Sequence, residues 1–410
     1  MRSSSSDVTG LHPGHQVRLL QGSSEFFAAL MAAMDAATTQ VRLETYIFDF
    51  TGSGADIAQA LVRTAQRGVS VMLVIDGFGT GKLPDEWSQR FDEAGVQWRI
   101  YRLPGRFGLL LPSAWRRLHR KLCVVDSRLA FCGGINILDD FHDPSWGKLE
   151  FPRFDFSVQA EGGLVADVES AMSRLWSRLQ GVRQLRQHDI PEAVKSFSKA
   201  MGHAKMPGLP LAAPPAAPHG SKAALLLRDN LRNRTTIEKA YRQAIGAARS
   251  EVIIANAYFV PGAKLRRALV KAAERGVKVQ LLLQGKYEYF MQYYAARPVY
   301  DALLRAGVEI YEYAPSFLHA KVAVVDGHWA TVGSSNLDPL SLLLAREANV
   351  VVEGEAFAMQ LRGTLVRAMQ GEGGMMDAAQ YAARPRSQRI KEHIALALMR
   401  LALMVQGKNY

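Results

Sequence analysis

His119-Arg-Lys121-Leu-Cys-Val-Val-Asp126 returns later in the chain as His319-Ala-Lys321-Val-Ala-Val-Val-Asp326. Both stretches have the pattern H-x-K-x-x-x-x-D, and each is followed at the same distance by a glycine–asparagine turn. A lone copy on a strand is most simply a surface pair of side chains. Two copies with matching turns indicate instead that each half of the chain contributes half of one active site.

The residue types of the two motifs suit chemistry at a phosphodiester. A neutral imidazole can attack phosphorus, and an imidazolium can protonate a departing alkoxide. Lysine supplies a compact cation for the non-bridging oxygens. Because side chains two apart on a strand share a face, each histidine should project together with its lysine. One imidazole beside a cation is a poor metal site, so neither a metal nor another cofactor is expected. The catalytic candidates are His119, Lys121, Asp126, His319, Lys321 and Asp326.

The two halves also match outside the motifs. Residues 59–71 correspond to residues 267–279, each a helix that ends in glycine before a strand. Strands that alternate with helices predict an α/β sandwich in each half, with a pseudo-twofold relating the halves and one active site at their interface. The predicted segments are a disordered N-terminus (1–14), a first half (15–190), a Pro/Ala-containing linker (191–221), a second half (222–370) and a basic amphipathic tail (371–410).

Several flanking segments accompany the motifs: Leu43–Phe48, Arg67–Val69, Arg228–Asn230, Ala255–Phe259 and Val332–Leu340. Together they resemble the phospholipase D superfamily, and within it the bacterial cardiolipin synthases of the short type without N-terminal membrane-spanning helices. The resemblance runs from about Val17 to Leu365. It implies two phospholipase D-like repeats that transfer a phosphatidyl group between two phosphatidylglycerol molecules. The products would be cardiolipin and glycerol, formed through a phosphohistidine.

The resemblance also implies which histidine does what. His119 would attack the phosphodiester, and His319 would protonate the leaving glycerol before it activates the hydroxyl of the second lipid. Water competes as acceptor, so transfer requires a site that excludes water or lies at a lipid surface. A phospholipase D that uses water, a nuclease of the same superfamily and a lipid-binding scaffold remain alternatives. The intact motifs argue against the scaffold.

Two further pairs of residues support the site in this interpretation. By resemblance, Asn136 and Asn336 would donate amide hydrogen bonds to phosphate oxygens; their alternative is ordinary turn chemistry. Asp155 and Glu347 each come shortly after a motif and just before an apolar strand. They would orient the histidines through the second ring nitrogen. The alternative for them is a surface ion pair, such as Glu347 with Arg346.

Other acidic residues are expected to have structural roles. Asp126 and Asp326 end the motif strands and should bind nearby backbone or basic groups, although the family pattern counts them in the motif. Glu44 interrupts an apolar strand, which indicates a buried or pocket-facing carboxylate with a partner, the alternative being a solvated strand edge. The alignment of the two halves pairs Glu44 with Asn256.

The charge of the chain indicates an anionic partner. Its 410 residues include 50 lysines and arginines against 38 acidic residues, a formal net charge of +12. This excess fits nucleic acid or an anionic membrane surface. Basic residues are not interleaved with aromatic ones as on single-strand platforms, so no nucleic acid is expected. Cys123 and Cys132 are expected to be buried, which fits a reducing compartment.

Two segments are candidates for membrane contact. The apolar loop 103–115 makes the connection to the first motif twelve residues longer than that to the second, and arginines flank it. The tail is rich in basic residues around an apolar core. Each segment has the alternative of packing on the protein itself. No stretch approaches the roughly 20 apolar residues of a spanning helix. The prediction is a peripheral protein on the cytoplasmic face of the bacterial cell membrane, with phosphatidylglycerol and cardiolipin as lipid partners.

Overall fold

A computed structural model describes residues 10–103, 116–143, 146–187, 189–201, 220–229, 233–286, 290–338, 345–371 and 373–404. The described first half contains β1 (His12–Gln21), α1 (Gly22–Asp35), β2 (Gln40–Thr45), α2 (Gly52–Gln66), β3 (Ser70–Asp76), α3 (Asp85–Ala94), β4 (Gln97–Tyr101), β5 (Arg117–Leu118), β6 (Lys121–Val125), β7 (Leu129–Gly133), β8 (His142–Asp143), β9 (Gly147–Lys148), β10 (Phe156–Glu161), α4 (Leu164–Arg186) and α5 (Ile190–Met201).

The second half repeats the alternation. Its described elements are β11 (Ser221–Arg228), α6 (Thr236–Ala247), β12 (Glu251–Asn256), α7 (Ala263–Glu274), β13 (Lys278–Gln284), α8 (Phe290–Arg305), β14 (Glu309–Tyr313), β15 (Lys321–Val325), β16 (Trp329–Gly333), β17 (Ala345–Glu353), α9 (Glu355–Gly371), β18 (Gly373–Met375), α10 (Ala378–Ala382) and α11 (Arg386–Met404).

One sheet runs through both halves and is symmetric about its middle. The strand order is β4-β3-β2-β6-β7-β10-β1 in the first half and β14-β13-β12-β15-β16-β17-β11 in the second. The halves join where β1 pairs with β11. The motif strands β6 and β15 are central and fully buried, as expected for continuous runs of β-branched and apolar residues. The predicted pair of α/β repeats is therefore confirmed.

A shared hydrophobic core holds the halves together. It contains Phe156 and Val158 of the first half together with Val322 and Val350 of the second. Helices α4 and α9 contribute to this core, whereas α1, α2 and α6–α8 cover separate cores on the outer faces of the sheet. Because this close-packed core is common to both halves, residues at their junction keep a fixed geometry.

Strand register corrects the alignment made for Glu44. On β2, Glu44 lies opposite Leu122 of β6. The residue in the same register on β12 is Ala255, which lies opposite Val322 of β15. The prediction that Asn256 is the counterpart was wrong by one residue. Connections differ in length between the halves, so an offset measured at a later loop does not hold at this strand.

Predicted segment limits also change at two places. β1 begins at His12, inside the predicted disordered N-terminus, because β10 and β11 both pair with it. Helix α5 occupies the first part of the predicted linker and packs against α4, where Phe197 lies so close to Gly181 that a side chain there would contact its ring at 3.0 Å. Residues 202–219 of the linker and 104–115 of the apolar loop lie outside the described residues.

The C-terminal tail is docked on the second half. Strand β18 pairs with β14, and α11 packs along α8. Just before α11, the buried Arg384 forms ion pairs with Asp301 and Glu392, each at 3.0 Å. One face of α11 thus packs against the second half, while Ile390, Ile394 and Leu398 on this helix stay exposed. Among the helices described, none combines the length and apolar character needed to cross a bilayer.

Candidate active site

Each motif histidine lies on a segment that pairs with the opposite half. Strand β5, directly before His119, pairs with the start of β17, and the His119 amide donates to the Arg346 carbonyl at 3.0 Å. The other half does the reverse: the His319 amide donates to the Phe154 carbonyl at 2.9 Å. The crossing is reciprocal, so each histidine is placed beside the acid-bearing strand of the other half.

The two predicted acids consequently serve histidines across the interface. His119 Nδ1 lies 3.1 Å from a carboxylate oxygen of Glu347, and His319 Nδ1 lies 2.6 Å from Asp155 Oδ2. Both carboxylates are buried, which argues against surface ion pairs. An acid on Nδ1 fixes the ring orientation and leaves Nε2 for chemistry. Nothing in the spacing along the chain indicates that the acid and its histidine come from different halves.

The motif lysines are buried beside the histidines. Lys121 Nζ donates to the His119 carbonyl at 2.7 Å, and Lys321 Nζ donates to the His319 carbonyl. Burial lowers the pKa of Lys121 to about 7, and repulsion from Lys321 acts in the same direction, against the attraction of Glu347 and Asp155. The side chains of both motifs therefore form one electrostatically coupled cluster.

The pKa values of the two acids are shifted in opposite directions. Burial raises the pKa of Asp155 to about 7, in spite of the nearby Lys321. For Glu347, burial also acts to raise the pKa, but the His119 interaction and the Ser334 hydroxyl, 2.5 Å away, bring it below the ordinary value. Burial lowers the pKa of both histidines, and that of His319 falls well below its ordinary value.

A single residue near each acid distinguishes the two pairs. Ser334 donates to Glu347, whereas the matching position after the first motif is Gly134. A side chain at Gly134 has no room, because its Cβ would lie 2.3 Å from Asp155 Oδ1. In the part of the chain that the structure describes, no group of three or more His, Cys, Asp or Glu side chains is placed to hold a metal ion.

The predicted asparagines lie in the turns that follow β7 and β16, and both are buried. Asn136 Oδ1 accepts the Ile47 amide at 3.2 Å, so this side chain has at least one turn-forming role. Asn336 Oδ1 is buried without a hydrogen-bond partner among the described residues. In β6, Lys121 lies opposite Gly133, three residues before Asn136, which puts this turn at the lysine end of the strand.

The two motif aspartates lie at the other end of the motif strands. Asp126 accepts the amides of Thr38, Thr39 and Gln40, and Asp326 accepts those of Arg249, Ser250 and Glu251. Although burial opposes it, these donors lower the pKa of Asp126 to about 2. Strand β6 places Asp126 roughly 16 Å from Lys121. Both aspartates, which the family pattern counts in the motif, thus bind nearby backbone as the sequence predicted, and hold the turns before β2 and β12.

Two interactions that support the site were not predicted from the sequence. Asp76 Oδ2 accepts the Leu118 amide at 2.7 Å, directly before His119. Gln284 Oε1 accepts the Leu318 amide at 3.1 Å, directly before the second histidine. Each polar residue closes an apolar strand, β3 or β13, and that shared position in the repeats was the available signal.

The buried partner of Glu44 is Arg120, which lies between the histidine and lysine of the first motif. Arg120 Nε and Nη2 contact the carboxylate at 2.5 and 3.0 Å, and Nη2 also donates to the Ala171 carbonyl. The second half has alanine at both equivalent positions, Ala255 and Ala320. This ion pair therefore belongs to the first half alone.

Comparisons with known proteins agree with this arrangement. The family model described as cardiolipin synthase, PLD-like domain, matches residues 30–142 and 241–368. The chain is 36% identical over 362 residues to cardiolipin synthase B of Escherichia coli K12, which covers 86% of this chain and 80% of the relative. It is 31% identical over 336 residues to cardiolipin synthase 2 of Bacillus cereus, a match that covers 82% of this chain and 60% of the relative. A crystal structure of phosphatidylserine synthase from Haemophilus influenzae covers 95% of both chains, with a TM-score of 0.67 at 13% identity, and shows the same fold.

Proposed function

The chain belongs to the cardiolipin synthase family with phospholipase D-like domains, and from this premise we propose that it joins two phosphatidylglycerol molecules into cardiolipin and glycerol. The observation that carries the proposal is the crossed arrangement of two histidine–acid pairs around two buried lysines. One phosphodiester is exchanged for another, so the reaction needs no separate energy source. We further propose that the enzyme acts as a peripheral protein at the cytoplasmic face of the bacterial cell membrane, since its proposed substrates are membrane lipids.

In the first step, His119 Nε2 attacks the phosphorus of one phosphatidylglycerol. A P–N bond forms, the P–O bond to glycerol breaks, and His319 gives its Nε2 proton to the departing oxygen. The buried, ionised Glu347 supports this role, because it retains the proton on Nδ1 of His119 and leaves the Nε2 lone pair free. Asp155, whose pKa is raised to about 7, shares a proton with His319 that supports the acid role.

In the second step, neutral His319 removes a proton from the glycerol hydroxyl of a second phosphatidylglycerol. That oxygen attacks the phosphohistidine, the P–N bond breaks, and His119 is regenerated. Lys121 and Lys321 hold the non-bridging oxygens throughout, with Asn136 and Asn336 as further donors. An arriving phosphate restores the charge of Lys121, because a nearby anion favours the protonated amine.

The test is product analysis with purified protein on vesicles that contain phosphatidylglycerol, with lipids resolved by mass spectrometry. We expect cardiolipin and free glycerol, and less than about one percent of wild-type product from His119→Ala or His319→Ala. His328→Ala is the matched control, because this exposed histidine lies in the turn beyond the far end of β15. Phosphatidic acid as the sole product would assign a hydrolase, and full activity in either motif variant would reject the scheme.

A further inference from the structure

The connection between the first motif turn and its acid is longer than the matching connection in the second half. It runs 19 residues from Asn136 to Asp155, but only 11 from Asn336 to Glu347. The additional length includes the β8–β9 hairpin, and we call its described residues, 141–143 and 146–151, the aromatic hairpin. Since the second half presents its acid without such length, the extension is not required to build the histidine–acid geometry.

Polar contacts tie the base of the aromatic hairpin to the residues that flank it. Arg153 forms an ion pair with Asp143 at 2.8 Å and donates to the carbonyls of Asp139 and His142. The Leu149 amide donates to the Phe141 carbonyl at 2.8 Å. The charged groups that fix the hairpin thus face inward.

Large apolar rings face outward from the same segment. Phe141, Trp146 and Phe151 are 50%, 55% and 46% exposed. A soluble surface rarely leaves several large rings exposed on one short, ordered hairpin unless a partner covers them. Tryptophan and phenylalanine are also the side chains that insert at the boundary between lipid headgroups and acyl chains.

The aromatic hairpin lies beside the segment that leads to His319. The ring of Trp146 is 6.2 Å from that of Phe317, and the Ser316 hydroxyl donates to the Phe151 carbonyl at 2.7 Å. This contact puts the exposed rings next to the approach to one catalytic imidazole.

Cations around the hairpin suit an anionic surface. Lys148 of β9 and Lys286 are exposed, and Lys286 Nζ donates to the Pro315 carbonyl at 2.8 Å, next to the same approach. Glu150 is the exposed carboxylate of the hairpin. The net charge of +12 adds a long-range attraction to anionic lipid.

We propose that the aromatic hairpin inserts into the headgroup layer of an anionic bilayer and so seats the His319 side of the site on the membrane. A lipid headgroup then reaches the site while its acyl chains remain in the bilayer, and bulk water is kept from the phosphohistidine. This inference rests on the proposed function, since it is the lipid substrate that makes a bilayer the occupant of this surface.

The experiment compares two exposed apolar surfaces of the same protein. The hairpin variant carries Phe141→Ser, Trp146→Ser and Phe151→Ser; the matched control carries Ile390→Ser, Ile394→Ser and Leu398→Ser on α11. Sedimentation with phosphatidylglycerol–phosphatidylethanolamine vesicles should show at least about tenfold weaker binding for the hairpin variant and wild-type binding for the control. Brominated lipids should quench Trp146, and Trp146→Phe should remove that part of the quenching.

Turnover separates docking from damage to the site. With short-chain phosphatidylglycerol below its micelle concentration as reference, the ratio of vesicle to monomer turnover should fall about tenfold in the hairpin variant. Wild-type vesicle binding by this variant, loss of binding in the α11 variant instead, or an equal fall on both substrates would each overturn the inference. A wild-type protein that binds vesicles through the hairpin but makes no cardiolipin would reject the proposed function alone.

Discussion

The two histidine–acid pairs have the same connectivity across the interface but opposite electrostatics. His119 faces a glutamate that the Ser334 hydroxyl helps to keep ionised. His319 faces Asp155, which has a shorter side chain, and burial raises the pKa of this acid to about 7. The position equivalent to Ser334 near this acid is Gly134, which has no hydroxyl to donate. A duplicated fold supplies two equivalent imidazoles, and the residues around each acid make them inequivalent. Groups whose pKa values are pushed apart in this way suit acid and base roles in one reaction.

The largest expected effect comes from a substrate that distinguishes the nucleophilic histidine from the histidine that acts as general acid. A phosphatidyl ester of p-nitrophenol needs no proton on its leaving group, so His319→Ala should regain much of its first-step rate on it. His119→Ala should remain about 10⁴-fold slower than wild type on this ester, because no P–N bond can form. Nitrophenolate release in a single turnover measures the step. Rescue of His119→Ala in place of His319→Ala would reverse the assignment.

A second contrast between the halves is the Glu44–Arg120 ion pair, which is a pair of alanines in the second half. Arg120→Ala leaves a buried carboxylate unpaired and should lower the free energy of unfolding by about 3–5 kcal/mol. Glu44→Ala with Arg120→Ala reproduces the second half and should cost distinctly less. Urea unfolding of both variants is the measurement. If the double variant is as unstable as the single one, the instability comes from the lost contacts of Arg120 itself and not from an unpaired carboxylate.

The Glu44–Arg120 pair illustrates which features could be predicted from the sequence and which could not. Alternating apolar strands and helices predicted both repeats, and a carboxylate inside an apolar strand predicted that Glu44 is buried or faces a pocket, with a partner. Its counterpart was misassigned, because strand register depends on hydrogen-bonded pairing and not on residue offsets. Likewise, Asp155 and Glu347 were recognised as candidates, but their spacing could not show that each one reaches the histidine of the other half. Such pairings arise only when β5 and Phe154 cross the interface.

Replacing each acid by its neutral amide should change the free energy of unfolding in opposite directions. The folded-state pKa of Asp155 is raised, so the unfolded chain ionises first and the free energy of unfolding falls as pH rises from about 4 to about 7. Asp155→Asn removes this penalty and should stabilise the protein at pH 8 by about 1–3 kcal/mol, with little gain near pH 4. The pKa of Glu347 is lowered, so its ionised form contributes stability above the unfolded value. Glu347→Gln should therefore be destabilising at pH 8. Urea titrations at both pH values check the signs, and equal signs would contradict the asymmetry.

The smallest predicted effect comes from the hydroxyl that distinguishes the pairs. Ser334 donates to the carboxylate of Glu347 and favours its ionised form, so Ser334→Ala should raise the pKa of Glu347. Cardiolipin formation should fall about tenfold, and the acidic limb of its pH profile should move to higher pH, because protonated Glu347 no longer holds the Nδ1 proton of His119. Ser335→Ala is the control, since that hydroxyl contacts the Asn336 carbonyl and not the acid. A uniform loss at every pH would mean that Ser334 serves packing alone, and the asymmetry would then rest on the length and burial of the two acids.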